Sequence, residues 1–245
     1  MRWLARGEDD IPPDPGWLAP GEAARAGGLR FTKRRTEYLL RRLAAKHAIA
    51  AAVGLRPVNT TVLARIEVRN APSGAPYVLV DGAPCGLAVS ISDRAGWAVC
   101  LVGTGLADVG CDLELVEPRS AGFVRDFLTA AEQRYVAAQP DPDVAANLLW
   151  SAKESALKVL RTGLRRDTRS VEVTVHEGQS EGWAPLTVRS VEGTVFPGWW
   201  RRDGRFLFTV ASAAAVPPPV ALDDAGVLAA AQPRHSWLTQ PLAGG

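Results

Sequence analysis

Seven residues, Val109–Leu115 (VGCDLEL), constrain this chain more than any other stretch. Cys111, Leu113 and Leu115 alternate with Asp112 and Glu114, the period of a β-strand. One face is therefore apolar, and the other carries two carboxylates whose Cα atoms lie about 6.5–7 Å apart. That separation lets both side chains converge on one ion. A second stretch, Leu148–Lys158 (LLWSAKESALK), reads as a helix in which Glu154 and Lys158 at i, i+4 share a face with Trp150. An isolated Glu–Lys pair of that kind is usually a surface ion pair worth only tenths of a kcal/mol. Trp150 and Lys153 beside it point to a site instead. Acids that can hold a hard cation, with lysines to neutralise phosphate charge, are what a magnesium-dependent phosphoryl-type transfer needs.

Composition narrows the class but not the chemistry. The 245 residues suffice for one large domain or two small ones. A net charge of +2 is too slight to argue for nucleic-acid binding. No apolar run approaches the length of a transmembrane helix. The start, MRWLARGEDDIPPDPGW, is acidic and proline-bearing, unlike a charged-then-apolar leader. The three cysteines, with Cys111 expected inside a buried strand, suggest reduced thiols and a cytoplasmic address.

Periodicity and punctuation predict an irregular lead-in over 1–28, then a helix from Thr32 as N-cap to Val53, ending at Gly54. Leu39, Leu43 and Ile49 would form its apolar stripe, and Arg35, Arg42 and Lys46 another face. Strands are expected at Val62–Val68, Tyr77–Val80, Leu87–Ser92 and Trp97–Val102, the last forming a hairpin with Val109–Val116 through Gly103–Asp108. Pro118 ends that half. Helices near Phe123–Phe127, Ala130–Gln139 and Val144–Arg161 follow, then strands at Ser170–His176, Leu186–Val195 and Arg205–Ala211. From Gly226 onward the Ala/Pro/Gly-rich tail is expected to pack loosely.

GCDLE, FLTAAE (Phe127–Glu132) and WSAKESALK (Trp150–Lys158) occur in the order and spacing of the Sfp-type 4′-phosphopantetheinyl transferases. That family's signatures run (V/I)G(V/I)D(x)E, F(S/T)xxE and WxxKE(A/S)xxK. The resemblance extends upstream through Lys33–Ile49, SGAP (Ser73–Pro76) and SISD (Ser90–Asp93). It implies an α+β fold of two similar subdomains in pseudo-twofold arrangement, 29–118 and 119–216, with the site at their junction and a tail over 217–245. It further implies transfer of the 4′-phosphopantetheine arm of coenzyme A to a serine of an acyl or peptidyl carrier protein. By resemblance, Asp112, Glu114 and Glu154 would hold Mg²⁺, and Glu154 or a metal-bound water would take the serine proton. Lys158, with Lys153, would stabilise the departing 3′,5′-ADP. Arg35, Arg42, Pro76, Ser92 and Asp93 match coenzyme A-binding positions. The expected enzyme is a cytoplasmic monomer of secondary metabolism, with no nucleic-acid or membrane partner. A carrier would dock near Val116, Phe123, Val124 and Phe127, with Arg119 and Arg125 among them.

Several residues read differently. Thr129 and Glu132 form a capping box and are expected to be structural, with Phe127 anchoring the core. His47, His176 and His235 match no signature. Two departures touch the nucleotide end: Ala75 replaces the usual basic residue of the G-x-P turn, and Asp93 stands where the family carries His. A carboxylate beside a phosphate repels it unless a cation, such as Arg94, lies between them. Two alternatives stay open: a non-catalytic coenzyme A- or carrier-binding homologue, and a magnesium-dependent hydrolase of a pyrophosphate ester.

Overall fold

The computed structural model describes residues 1–103, 105 and 108–234. The first half contains β1 (Arg2–Gly7), α1 (Pro20–Gly27), α2 (Thr32–Ala52), α3 (Thr60–Ala64), β2 (Ile66–Asn70), β3 (Pro76–Val80), β4 (Ala83–Pro84), β5 (Ala88–Arg94) and β6 (Trp97–Gly103). Then come β7 (Val109–Leu115), α4 (Ala121–Phe127), α5 (Ala130–Ala138), α6 (Pro142–Val159), β8 (Val171–Val175), β9 (Ala184–Ser190), β10 (Val195–Asp203), β11 (Phe206–Ser212) and β12 (Val220–Ala221). The fold is α+β. One sheet runs β12-β1-β6-β5, a second β7-β11-β10-β9-β8, and a small third β2-β3-β4.

Alternation along the strands builds a layered molecule. Trp3, Val99 and Leu101 of the first sheet share a buried core with Cys111, Leu113, Phe206 and Phe208 of the second. The opposite faces, through Leu4, Ala98 and Cys100 in one sheet and Leu207 and Ala211 in the other, pack on α2 and α6 respectively. Both faces of the central strands are thus covered, which is why β6 reads as a nearly continuous apolar run. Asp112 and Glu114 consequently face α6. Gly110 permits the close approach of that helix: a Cβ there would lie 1.9 Å from the Ser155 carbonyl oxygen.

Several expectations are corrected. Residues 1–28 are not an irregular lead-in: they contain β1, paired along its length with β6, and α1. Val62–Ala64 is helical rather than extended, its N-cap Asn59 accepting from the Val62 amide. β7 makes no hairpin with β6; it pairs with β11, so residues on the N-terminal side of Pro118 complete the second sheet. Part of the expected hairpin turn, Thr104, Leu106 and Ala107, lies outside the described residues, as do His235 and the end of the tail. The described residues after Gly226 do not all pack loosely, since Leu228 and Ala231 are buried in the core that holds Trp3; ahead of them β12 pairs with β1. The expected strand Leu186–Val195 is two: β9 ends at Ser190, and β10 begins at Val195 and runs on to Asp203. Helix α2 starts with Thr32 inside it and Phe31 as its cap. No helix of the described residues is long and apolar enough to cross a membrane.

Candidate active site

The edge strands β5 and β7 abut where the two large sheets meet. The Cys111 amide donates to Ser90 Oγ at 2.9 Å, and Ser92 Oγ donates to Asp112 Oδ1 at 2.8 Å. Helix α6 closes the other side. Lys158 Nζ donates to the Cys111 carbonyl at 2.7 Å and to Asp112 Oδ1 at 2.9 Å. Ser151 Oγ donates to Asp112 Oδ2 at 3.0 Å, so this carboxylate, only 6% exposed, receives three direct donors. Burial would pull the Lys158 ammonium down, but Asp112, Cys111 and Glu154 outweigh it and hold its pKa above the ordinary value.

Glu114 is held differently. Trp150 Nε1 donates to its Oε1 at 3.1 Å, while Arg94 and Arg119 lie 3.2 and 3.3 Å from its Oε2. Burial and the Asp112 charge raise its pKa against those two guanidiniums.

Glu154 is the least satisfied of the acids: its Oε1 is shut from solvent with no hydrogen-bond partner among the described residues. Burial, then Asp112 and Glu114, push its pKa up to about 7 despite the opposing Lys158. A buried, partnerless carboxylate oxygen repelled by two further carboxylates is a place where a cation or a proton would be stabilised. Carboxylate oxygens are the donors a hard divalent ion takes, but among the described residues no three His, Cys, Asp or Glu are grouped so as to hold a metal ion.

A cavity of about 440 Å³ opens beside Lys158, walled by Arg41, Ser73, Pro76, Tyr77 and Arg161 among others. Arg41 donates to Asp93 Oδ1 at 2.6 Å, and Arg161 to Asp108 Oδ1 at 2.6 Å. Lys158 and two carboxylate-held arginines thus meet a space of ligand size, a setting for a polyanion.

The structure brings Asp112, Glu114, Glu154 and Lys158 together and leaves other expected residues elsewhere. Lys153 is fully buried, away from the seam; its ammonium meets Glu132 Oε2 at 2.7 Å and the carbonyls of Thr168 and Val171 at 3.0 and 2.6 Å. All three of its protons are used, so it has none for a substrate. Arg42 does not itself line the cavity; it reaches Asn70, which does, together with Glu22 and the face of the Tyr38 ring. Its neighbour Arg41 takes the cavity wall, while Arg35 is exposed and not part of that wall. Pro76 lines the cavity, but Ser92 turns to Asp112 and Asp93 sits behind Arg41. The cation beside Asp93 is therefore Arg41, not Arg94, which binds Glu114 and Glu117. Lys46 is buried rather than part of a basic face, and Phe127 is 36% exposed rather than a core anchor. Phe127 forms an aromatic cluster with Phe123 and Trp150. The Thr129–Glu132 capping box is present.

Residues 108–188 match the 4′-phosphopantetheinyl transferase superfamily. That stretch contains β7, α6 and every carboxylate of the cluster. The chain is 36% identical over 70 residues to a holo-[acyl-carrier-protein] synthase of Geobacillus sp. (strain WCH70), covering 29% of this chain and 59% of that protein. It is 40% identical over 68 residues to proteins of the same name from Acidovorax sp. (strain JS42) and Acidovorax ebreus (strain TPSY), covering 27% of this chain and 52% of each. The chain thus spans little more than half the length of these relatives. The superfamily match covers Lys158 and Arg161 of the cavity's cations but does not reach Arg41 or Asp93.

Proposed function

We propose that the chain transfers the 4′-phosphopantetheine arm of coenzyme A to a serine hydroxyl of an acyl or peptidyl carrier protein. The observation that carries this reading is Glu154, a carboxylate raised to about 7 with a partnerless buried oxygen, in the field of Asp112 and of Lys158, which lines a cationic cavity. The cavity would take the nucleotide end, with Arg41 and Arg161 meeting its phosphates. The serine oxygen would bond to the phosphorus bearing the pantetheine arm as the bridging P–O bond breaks and 3′,5′-ADP departs. Glu154 near neutrality is suited to accept the serine proton. Lys158 would face the charge growing on the leaving phosphate, where an ammonium stabilises the transition state more than the ground state.

Asp112, Glu114 and Glu154 are the residues that would hold Mg²⁺. When bound, the ion would neutralise pyrophosphate charge and draw the Glu154 carboxyl into its ionised form. The carrier would dock across the junction, where the half-exposed Phe123, Phe127 and Trp150 cluster lies beside Arg119. Apolar anchors flanked by arginine suit the acidic helix of a carrier domain. Lys153 drops out of the mechanism.

Intact-mass analysis of an apo-carrier incubated with coenzyme A, Mg²⁺ and the protein tests this. The expected result is one added phosphopantetheine arm, absent when EDTA is included. An unmodified carrier with intact coenzyme A would favour a binding protein, and cleaved coenzyme A a hydrolase.

A further inference from the structure

One wall of the cavity is the turn between β2 and β3, and residues that the proposed chemistry does not use hold it in place. Ala71, Ser73, Gly74, Ala75 and Pro76 all line the cavity. Within the turn the Gly74 amide donates to the Ala71 carbonyl at 2.8 Å, and the Ala71 amide to the Ala75 carbonyl at 2.9 Å. Gly74 has a φ of 90°, in the left-handed region that favours glycine. Asn70, at the end of β2, clasps the turn from beside it. Its Nδ2 donates to the Gly74 carbonyl at 2.8 Å, and its Oδ1 accepts from Arg42 Nη2 at 3.0 Å.

A guanidinium can only donate and a carbonyl can only accept, so this amide has one orientation. Reversing it would set donor against donor and acceptor against acceptor. Arg42 is itself fixed. Only 8% exposed, it stacks over the Tyr38 ring at 4.7 Å and lies 3.6 Å from Glu22 Oε1. Glu22 is held in turn by the amides of Ala19 and Val68 and by Lys46. A line of restrained groups therefore runs from the buried Glu22 through Arg42 and Asn70 to the turn.

Resting on the reading that this cavity takes the nucleotide end of coenzyme A, we propose that Arg42 and Asn70 are positioning residues for that ligand. Arg42 acts through the Asn70 amide, which fixes the turn against which the nucleotide lies. The cavity-lining residues of the turn carry no charged side chain, with alanine at position 75. What the turn offers a ligand thus depends on where its backbone sits, and holding it beforehand lowers the cost of binding.

A double-mutant cycle on the whole protein tests this, with coenzyme A affinity read by calorimetry and transfer turnover at saturating coenzyme A. Arg42→Met and Asn70→Ala should each weaken coenzyme A binding about fivefold, the weight of one net hydrogen bond. The combined variant should bind no more weakly than Asn70→Ala alone, because both residues act along one path. Turnover at saturation should stay near wild type. Lys46→Met disturbs the same Glu22 without touching Asn70, and should leave the affinity unchanged. Losses that multiply in the combined variant would give Arg42 another route to the ligand and overturn the proposal. Wild-type affinity in Arg42→Met, or an equal loss in Lys46→Met, would overturn it as well. If Arg42→Met does not fold, Asn70→Ala, at an exposed position, carries the test, and unchanged affinity there is equally fatal. Wild-type protein that binds no coenzyme A would instead remove the reading of the cavity on which this inference rests.

Discussion

The two halves of the molecule contain the same buried device, and among the described residues only one of the two has the candidate site beside it. In the second half, Glu132 accepts from the Thr129 amide at 2.7 Å and the Val173 amide at 2.9 Å, and meets Lys153. In the first half, Glu22 accepts from the Ala19 amide at 3.0 Å and the Val68 amide at 2.9 Å, and meets Lys46 at 2.5 Å. Lys46 also donates to the carbonyls of Trp17 and Leu63, just as Lys153 donates to two carbonyls of its own half. Each staple ties a short helix, a long helix and a strand together. Burial lowers both lysine pKa values, with the partner glutamate opposing. The halves part at the next residue. Glu154 follows Lys153 and Lys158 lies four further on; after Lys46 the same positions hold His47 and Ala51. A lysine inside the most telling motif of the chain thus has a twin at whose matching positions, 47 and 51, stand no carboxylates. The comparison assigns Lys153 to the fold and leaves Glu154 to the proposed site.

Substituting Glu154 probes the divergence most strongly. Glu154→Gln should cut transfer by about 10²–10⁴-fold, the usual weight of a positioned base, while His47→Ala at the matching place should leave turnover near wild type. Turnover rates of both variants decide this; comparable losses would erase the distinction between the halves.

Breaking the staples comes next. Removing one partner of a buried pair typically costs about 3–5 kcal/mol, so Lys153→Met and Lys46→Met should lose similar stability in denaturant unfolding. Below their transitions, both should keep most of their turnover. A folded Lys153→Met protein without activity would return Lys153 to the chemistry and break the parallel.

The pH dependence of stability sharpens the contrast. The Glu154 carboxyl sits at about 7, against 4.5 in a model acid. The folded state therefore holds a proton that the unfolded chain releases. The stability this confers is complete below pH 4.5 and lost as pH rises to 7, on the order of 3 kcal/mol. Glu154→Gln cannot titrate and should melt higher than wild type above pH 7 in EDTA, with the difference vanishing near pH 4.5. His47, held neutral by burial with its pKa lowered to about 4 from 6.5, acts in the opposite sense: its contribution is complete above pH 6.5 and lost as pH falls toward 4.

The smallest effect concerns the first half's contribution to the cavity. Asp93→Asn removes the partner of Arg41, a partly exposed pair worth at most about 1 kcal/mol. Coenzyme A binding by calorimetry should weaken about fivefold or less, with little change for dephospho-coenzyme A. Equal losses for both ligands would place Arg41 away from the 3′-phosphate.

How much of this was legible in the chain depends on how local the encoding is. The alternation of β7 put Asp112 and Glu114 on one face, and the i, i+4 spacing put Glu154 and Lys158 on another, because backbone geometry alone decides which residues of one element share a side. The capping box at Thr129 was readable for the same reason. Adjacent residues were separated only by packing. Each step along a helix turns the side chain by about 100°, so Lys153 enters the core while Glu154 reaches the site, and Arg41 rather than Arg42 reaches the cavity. No local pattern told which of each pair would do so, since that depends on what lies across from the helix. The pairing of β7 with β11 instead of β6, the pairing of β1 with β6, and the meeting of Asp112 with Ser151 are likewise contacts between distant parts of the chain. Sequence periodicity determined the faces; only the tertiary structure decided which faces meet, because that choice belongs to the packing of the whole core.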